Sequence, residues 1–136
     1  MRPVILVGSI RWGVVGCQLP PEMSRSVPPL PSEAGAIGYR DVVQRARWQA
    51  TMATEAFYVD RWSEVEAAAQ GLEETARYLT RAREIPMSQE STLAVRSEKL
   101  AKEAQALRLA VQSRDEHKTT EVMQRINLLV RELRPE

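Results

Sequence analysis

The sequence of 136 residues predicts an all-α protein, an antiparallel up-down-up-down four-helix bundle built from two helical hairpins, preceded by a disordered N-terminal segment. From Tyr39 onward, helix-favouring residues dominate, and Gly71 and Pro86 are the only glycine and proline before residue 135. Apolar residues recur there every three or four positions, which is helical rather than strand spacing. The same spacing starts again at Leu93, so the bundle consists of two similar halves.

Residues 1–16 have the layout of a secretory signal, with Arg2, an apolar stretch over 4–15 and Gly16 before Cys17. Val14-Val15-Gly16-Cys17 resembles the lipobox of bacterial lipoproteins. The resemblance implies that Cys17 is lipidated and becomes the first mature residue. It also implies a membrane-anchored protein of the cell envelope, facing the periplasm or the exterior. Arg11 interrupts the apolar stretch, at a cost of about 2.5–3.5 kcal/mol for insertion, so an unstructured cytoplasmic N-terminus is the alternative.

Residues 17–38 are expected to form a tether. Five of the eight prolines of the chain lie in this segment, together with several serines. Because proline lacks an amide donor and keeps its neighbours extended, neither helix nor sheet is expected there. The expected domains are therefore a signal over 1–16, a Pro/Ser-rich tether over 17–38 and the bundle over 39–134.

Two helices of about twenty residues form the first predicted hairpin. Asp60 and Ser63 lie between them, and either residue is a candidate to cap the second helix. The connection is short, so the two helices must run antiparallel. The core positions predicted for this hairpin are Tyr39, Val43, Ala46, Ala50, Ala53, Phe57, Trp62, Val65, Ala69, Leu72, Ala76 and Leu79.

The second predicted hairpin follows a link over about residues 81–91, in which Pro86 ends any continuous helix. Ser113 and Asp115 repeat the capping signal before the last helix. In an up-down-up-down bundle, Tyr39, Leu79, Leu93 and Leu133 share one end layer. The core positions predicted for this hairpin are Leu93, Ser97, Leu100, Ala104, Leu107, Val111, Glu116, Thr119, Met123, Ile126, Val130 and Leu133.

The stretch Asp60-Arg61-Trp62-Ser63-Glu64-Val65 precedes an alanine-rich helix, and Arg114-Asp115 precedes the last helix. With these two stretches, an exported four-helix bundle of this kind resembles the cytochrome c-prime and soluble b-type cytochrome families. The resemblance covers about residues 36–134 and concerns the fold. The c-prime family binds haem through Cys-x-x-Cys-His near the end of its last helix, where this chain has Ile126 to Leu133. At the end where the b-type proteins place a Met and a His, this chain has Tyr39 and Leu133.

The haem-ligand candidates are His117, the only histidine of the chain, and Met52, which we expect at about the same level of the bundle. His117 precedes the core position Thr119 by two residues, which turns its side chain away from the core. We therefore expect a surface histidine and no cofactor. The alanine-rich interior is expected to pack closely at Ala46, Ala50 and Ala104 rather than to enclose a flat cofactor.

Trp48 and Met52, with Ala56 and Val59, form a second apolar stripe on the first helix and are the candidate residues for binding a protein partner. The alternatives are that this stripe packs under the proline-rich segment or widens the core face. Four residues beside the core stripes of the last two helices add weak support for a homodimer or a partner surface: Leu109, Val122, Leu128 and Leu129.

The composition argues against several function classes. A net charge of +1 without a basic block disfavours nucleic-acid binding, and one His with one Cys disfavours a His/Cys metal site or a disulfide framework. No phosphate-binding glycine motif is present. The sequence thus favours a non-catalytic binding or structural module anchored through Cys17, with a haem-binding electron carrier as the alternative.

Overall fold

The computed structural model describes residues 27–134, and within that range the protein is all-helical. Its helices are α1 (Tyr39–Tyr58), α2 (Trp62–Tyr78), α3 (Met87–Gln112) and α4 (Glu116–Glu132), with a 3₁₀ turn at Leu79–Arg81 directly after α2. An isolated parallel bridge joins Gly38 to Arg83. The all-α class predicted from the sequence is therefore confirmed.

The four helices pack as a closed ring around one apolar core. In this arrangement α1 and α3 each pack beside both α2 and α4. The four residues predicted for one end layer are all at most 2% exposed, and they are Tyr39, Leu79, Leu93 and Leu133. Their predicted positions in the core are thus confirmed.

Small and large side chains alternate between the facing helices. The inward alanines predicted from the sequence are all buried, at 0–4% exposure: Ala46, Ala50, Ala53, Ala69, Ala76 and Ala104. The larger buried side chains include Leu72 in α2, Leu100 and Leu107 in α3, and Ile126 in α4. Alanine allows a neighbouring leucine to approach the helix backbone, so these side-chain sizes favour close packing of the helices.

The turn between α1 and α2 corrects the predicted capping of α2. Its N-cap is Arg61, without a side-chain hydrogen bond, so the capping predicted for Asp60 or Ser63 is wrong. The reason is that Asp60 ends α1 instead. It adopts a φ of 58°, and the Arg61 amide donates to the carbonyl of Ala56 at 2.9 Å, which is a Schellman closure.

The turn between α3 and α4 has the same geometry. Arg114 has a φ of 55°, and the Asp115 amide donates to the carbonyl of Ala110 at 3.0 Å. Here the following residue does cap the next helix, because Asp115 Oδ1 accepts from the Lys118 amide at 3.0 Å. The predicted cap of α4 is confirmed.

Helix α3 begins at Met87, within the segment 81–91 that was expected to be a link. Pro86 occupies its N-cap position, and Met87 is the first helical residue. A proline is tolerated at a helix start because the first amides of a helix have no intrahelical acceptor. Pro86 therefore starts α3 rather than interrupting a longer connection.

The described part of the predicted tether, residues 27–38, is fastened to the bundle; we call it the arm. The hydroxyl of Tyr78 donates to the Glu33 carbonyl at 2.6 Å, and Arg81 Nη2 donates to the Ser32 carbonyl at 2.6 Å. Leu30 and Ile37 pack against the core. The expected signal over 1–16, and residues 17–26 of the expected tether, lie outside the described residues.

Candidate functional site

A shallow cleft of about 130 Å³ lies on the outer face of α1, lined by Trp48, Thr51, Met52 and Glu55. We call it the α1 surface cleft. Trp48 is 42% exposed, whereas Met52 is half-buried and packs partly against the core. The two residues singled out in the sequence for partner binding are therefore neighbours along one side of the same helix.

The rest of the predicted stripe does not continue this surface. Ala56 is 6% exposed and belongs to the core, while Val59 is 60% exposed and lies beyond the end of α1. Eight residues advance a helix by about 800°, so Ala56 is turned about 80° from Trp48, toward the core. The inclusion of Ala56 in the predicted stripe was wrong for this reason.

His117 lies on the solvent side of α4, as expected for a surface histidine. Its side chain is 86% exposed, and its Nε2 lies 3.1 Å from Oε2 of Glu121, one turn later on the same helix. Haem ligands are held on the interior faces of a bundle. The position of His117 therefore offers no support for ligation together with Met52.

The residues expected to support a second partner surface are divided by the structure. Leu109 and Leu128 are 65% and 56% exposed. Val122, by contrast, is fully buried at 0% exposure, so its assignment to a partner surface was wrong. Its side chain lies on the inner side of α4, in the same core as Ile126.

An aromatic cluster lies at the end of the bundle formed by the two tight turns, where the sequence placed Phe57 and Trp62 in the core. The rings of Phe57 and Trp62 meet edge to face, with centroids 5.6 Å apart, and the Arg114 guanidinium lies 5.3 Å from the Trp62 ring. Tyr58, beside Phe57, is 78% exposed. The contact of Arg114 with the Trp62 ring was not predicted from the sequence.

A buried polar network joins α1 to α2. The Thr75 hydroxyl donates to Oε1 of Gln49 at 2.7 Å and accepts from Nε of Arg45 at 3.1 Å. Burial lowers the pKa of Arg45, and the nearby carboxylate of Glu74 partly offsets that effect. Gln49 and Thr75 are 4% and 0% exposed, so they fix how the two helices pack and offer no surface to a ligand.

A half-buried charge cluster joins α2 to α3 around Glu73. Its carboxylate accepts from Nε2 of Gln105 at 2.8 Å and from Nη2 of Arg77 at 3.1 Å, and lies 3.3 Å from Nη1 of Arg108. Burial by itself would raise the pKa of Glu73, but these hydrogen bonds and positive charges outweigh it and hold the pKa below its ordinary value. A carboxylate held ionised by three donors is a structural element rather than a general acid.

The hydroxyl of Tyr39 is buried without a hydrogen-bond partner at the end of the bundle where the arm is fastened. Burial raises the pKa of Tyr39, against the opposing charges of Arg96 and Arg47. Both guanidinium groups are engaged elsewhere: Arg47 donates to the Leu133 carbonyl at 3.0 Å, and Arg96 donates to the Glu132 carbonyl at 3.4 Å. These two arginines thus supply donors to carbonyls at the C-terminal end of α4.

The comparisons of this chain with protein-family models, with curated proteins and with solved structures give no match. Between residues 27 and 134, none of the helices combines the length and apolar composition that crossing a bilayer requires. The same part of the chain contains no cluster of three or more His, Cys, Asp or Glu side chains arranged to hold a metal ion.

Proposed function

We propose that the protein is a non-catalytic, lipid-anchored helical bundle that binds another protein through the α1 surface cleft. The observation that carries the proposal is the cleft itself, in which a partly exposed Trp48 lies beside Met52. Aromatic and methionine side chains are enriched in protein interfaces, and a tryptophan in a concave site is a typical hot-spot residue. The polar residues Thr51 and Glu55 complete the lining and would supply the rim.

The anchor proposed for this module is Cys17, which lies outside the described residues. Its support is the Val14-Val15-Gly16-Cys17 sequence after a basic and apolar start. The envelope location follows from the anchor and shares its test.

The helix arrangement proposed for the module is an antiparallel up-down-up-down bundle. For α1 and α2, support comes from the Tyr39 amide, at the start of α1, donating at 2.7 Å to the Arg83 carbonyl, which follows α2. Hydrogen bonds between α3 and α2 show that the residue numbers fall along α2 as they rise along α3. The pairs are Ser97 with Ala76, Gln105 with Glu73 and Gln112 with Glu66. From α3 to α4, the pairs are Arg125 with Glu103 and Arg96 with Glu132.

The binding proposal is tested by site-specific photocrosslinking in the native membrane. A photoreactive residue at Thr51, inside the cleft, should give a discrete crosslinked product, and the same residue at Lys102 on α3 should not. Trp48→Ala and Met52→Ala should each reduce the product at Thr51. Equal products from both positions, or no effect of either alanine, would show that the cleft is not the binding surface.

A further inference from the structure

The charges of the bundle are divided between its two ends. We divide the bundle at the position along its axis where Gln49 packs beside Gly71. The arm half comprises residues 27–48, 72–106 and 122–134. The tip half comprises residues 49–71 and 107–121. The arm half has twelve Arg and Lys against nine Asp and Glu, a net charge of +3. The tip half has four Arg and Lys against seven Asp and Glu, a net charge of −3. The described residues, whose net charge is zero, therefore form an electric dipole along the bundle.

Several arginines of the arm half bond to carbonyl oxygens, which do not neutralise them. Arg81 donates to the Ser32 carbonyl and Arg83 to the Gly35 carbonyl, at 2.6 and 3.1 Å. Arg47 and Arg96 donate to the last carbonyls of α4 in the same manner. A carbonyl satisfies a donor but carries no net charge, so Arg47, Arg81 and Arg96 keep their formal charge at this end of the molecule, whereas Arg83 also lies 4.0 Å from the Glu84 carboxylate.

Further arginines of the arm half are exposed on its surface: Arg40, Arg131 and Arg134. The chain also enters the bundle here, because the arm is fastened at Tyr78 and Arg81. Residues 17–26 span at most about 35 Å when extended. A lipid on Cys17 would therefore keep the positive half close to the bilayer surface.

We propose that the arm half docks on the headgroups of anionic phospholipids, so that the tip half and its aromatic cluster face away from the membrane. The proposal rests on the anchor and the helix arrangement proposed above. Each basic side chain near an anionic surface contributes about 1 kcal/mol, which corresponds to about fivefold in affinity, and the effect decays within a Debye length of about 8 Å at physiological salt. The negative tip half is repelled by the same field, which makes one orientation preferred.

The test uses the full chain with Cys17→Ala, so that binding does not depend on acylation. Co-sedimentation with vesicles of phosphatidylglycerol and phosphatidylcholine is compared with vesicles of phosphatidylcholine alone. We expect preferential, salt-sensitive binding to the anionic vesicles. No preference for the anionic vesicles would overturn the proposal.

Two charge reversals at each end give matched variants. Arg40→Glu with Arg134→Glu should weaken binding to anionic vesicles by at least about 25-fold, as two fivefold contributions multiply. Arg61→Glu with Lys118→Glu gives the protein the same net charge, but both substitutions lie in the tip half. This second variant should change the affinity for anionic vesicles by less than about threefold. Circular dichroism verifies that both variants fold.

Equal weakening in the two double variants would show that net charge, and not the arm half, governs binding, and would refute the docking. Acylation of Cys17 is measured separately in cells. A protein that binds vesicles through its arm half without being acylated would contradict the proposed anchor and leave the docking surface supported.

Discussion

Gly71 lies in the middle of α2, where glycine is ordinarily unfavourable, and the buried amide of Gln49 explains its presence. A Cβ at position 71 would lie 2.7 Å from Nε2 of Gln49, closer than real Cβ contacts allow. The Gln49 amide is held in place by the 2.7 Å hydrogen bond that its Oε1 accepts from Thr75. Gly71→Ala must therefore displace the amide from a site where it is 4% exposed.

The expected net effect of Gly71→Ala is a loss of about 1 kcal/mol in the free energy of unfolding. Breaking or distorting a buried hydrogen bond costs about 1–3 kcal/mol. Replacing a mid-helix glycine by alanine recovers about 0.5–1 kcal/mol of helix propensity. Urea unfolding followed by circular dichroism measures the difference, and the melting temperature should fall by about 4 °C.

A double-mutant cycle identifies the cause. In a Gln49→Ala background the Cβ at position 71 has space, so Gly71→Ala should be neutral or stabilising by up to about 1 kcal/mol. The coupling between the two positions should then be about 1–2 kcal/mol. The same loss in both backgrounds would refute the steric explanation and assign the effect of Gly71→Ala to some other contact.

Three further substitutions test the packing, the capping and the charge cluster. Leu133 is 1% exposed, so Leu133→Ala should lower the free energy of unfolding by about 2–5 kcal/mol. Leu128 is 56% exposed, so Leu128→Ala should change it by no more than about 0.5 kcal/mol. Similar losses for the two variants in chemical unfolding would contradict the assigned core. Asp115→Ala should cost about 1 kcal/mol and Ser63→Ala almost nothing, since only Asp115 caps a helix. Because the pKa of Glu73 is lowered in the fold, its contribution to stability is complete above about pH 5.5 and is lost as the pH falls through its folded value. Glu73→Gln should flatten this acid-side decline in a series of unfolding curves, and an unchanged pH profile would contradict the role given to this carboxylate.

The helical periodicity predicted most of the core. Apolar spacing identifies the buried face of a helix, and Leu93, Leu100 and Leu107 follow that spacing and are buried. The same rule placed Ser97 in the core, where its hydroxyl donates to the Ala76 carbonyl at 2.5 Å. Spacing thus predicted burial for the polar residues Ser97 and Thr119, whereas its placement of Glu116 in the core was wrong, because Glu116 lies in the first turn of α4 and is exposed.

What spacing could not predict were contacts that depend on tertiary geometry. The left-handed conformation of Asp60 decides that it ends α1 instead of capping α2, and the local sequence allows both roles. Likewise, the fastening of the arm depends on carbonyls of residues 32–36 meeting Tyr78, Arg81 and Arg83, which are distant in the sequence. Backbone carbonyls are present at every residue, so no side-chain pattern signals such bonds.

The candidate site was predicted only in part, for a related reason. Trp48 and Met52 were recognised because large apolar side chains lie off the core stripe, and both line the α1 surface cleft. The dipole of the bundle was not apparent in the sequence, since its positive and negative halves alternate along the chain. It becomes visible only when the helix ends are brought together in space.

The acylation state of Cys17 decides whether this protein is anchored to a membrane by a lipid. Cells expressing the full chain are grown with a radiolabelled fatty acid, and the purified protein is analysed by autoradiography and by mass spectrometry of its N-terminus. We expect label in the wild type, a mature chain that starts at acylated Cys17, and neither feature in Cys17→Ala. An unlabelled wild-type protein that retains Met1 would contradict the proposed anchor.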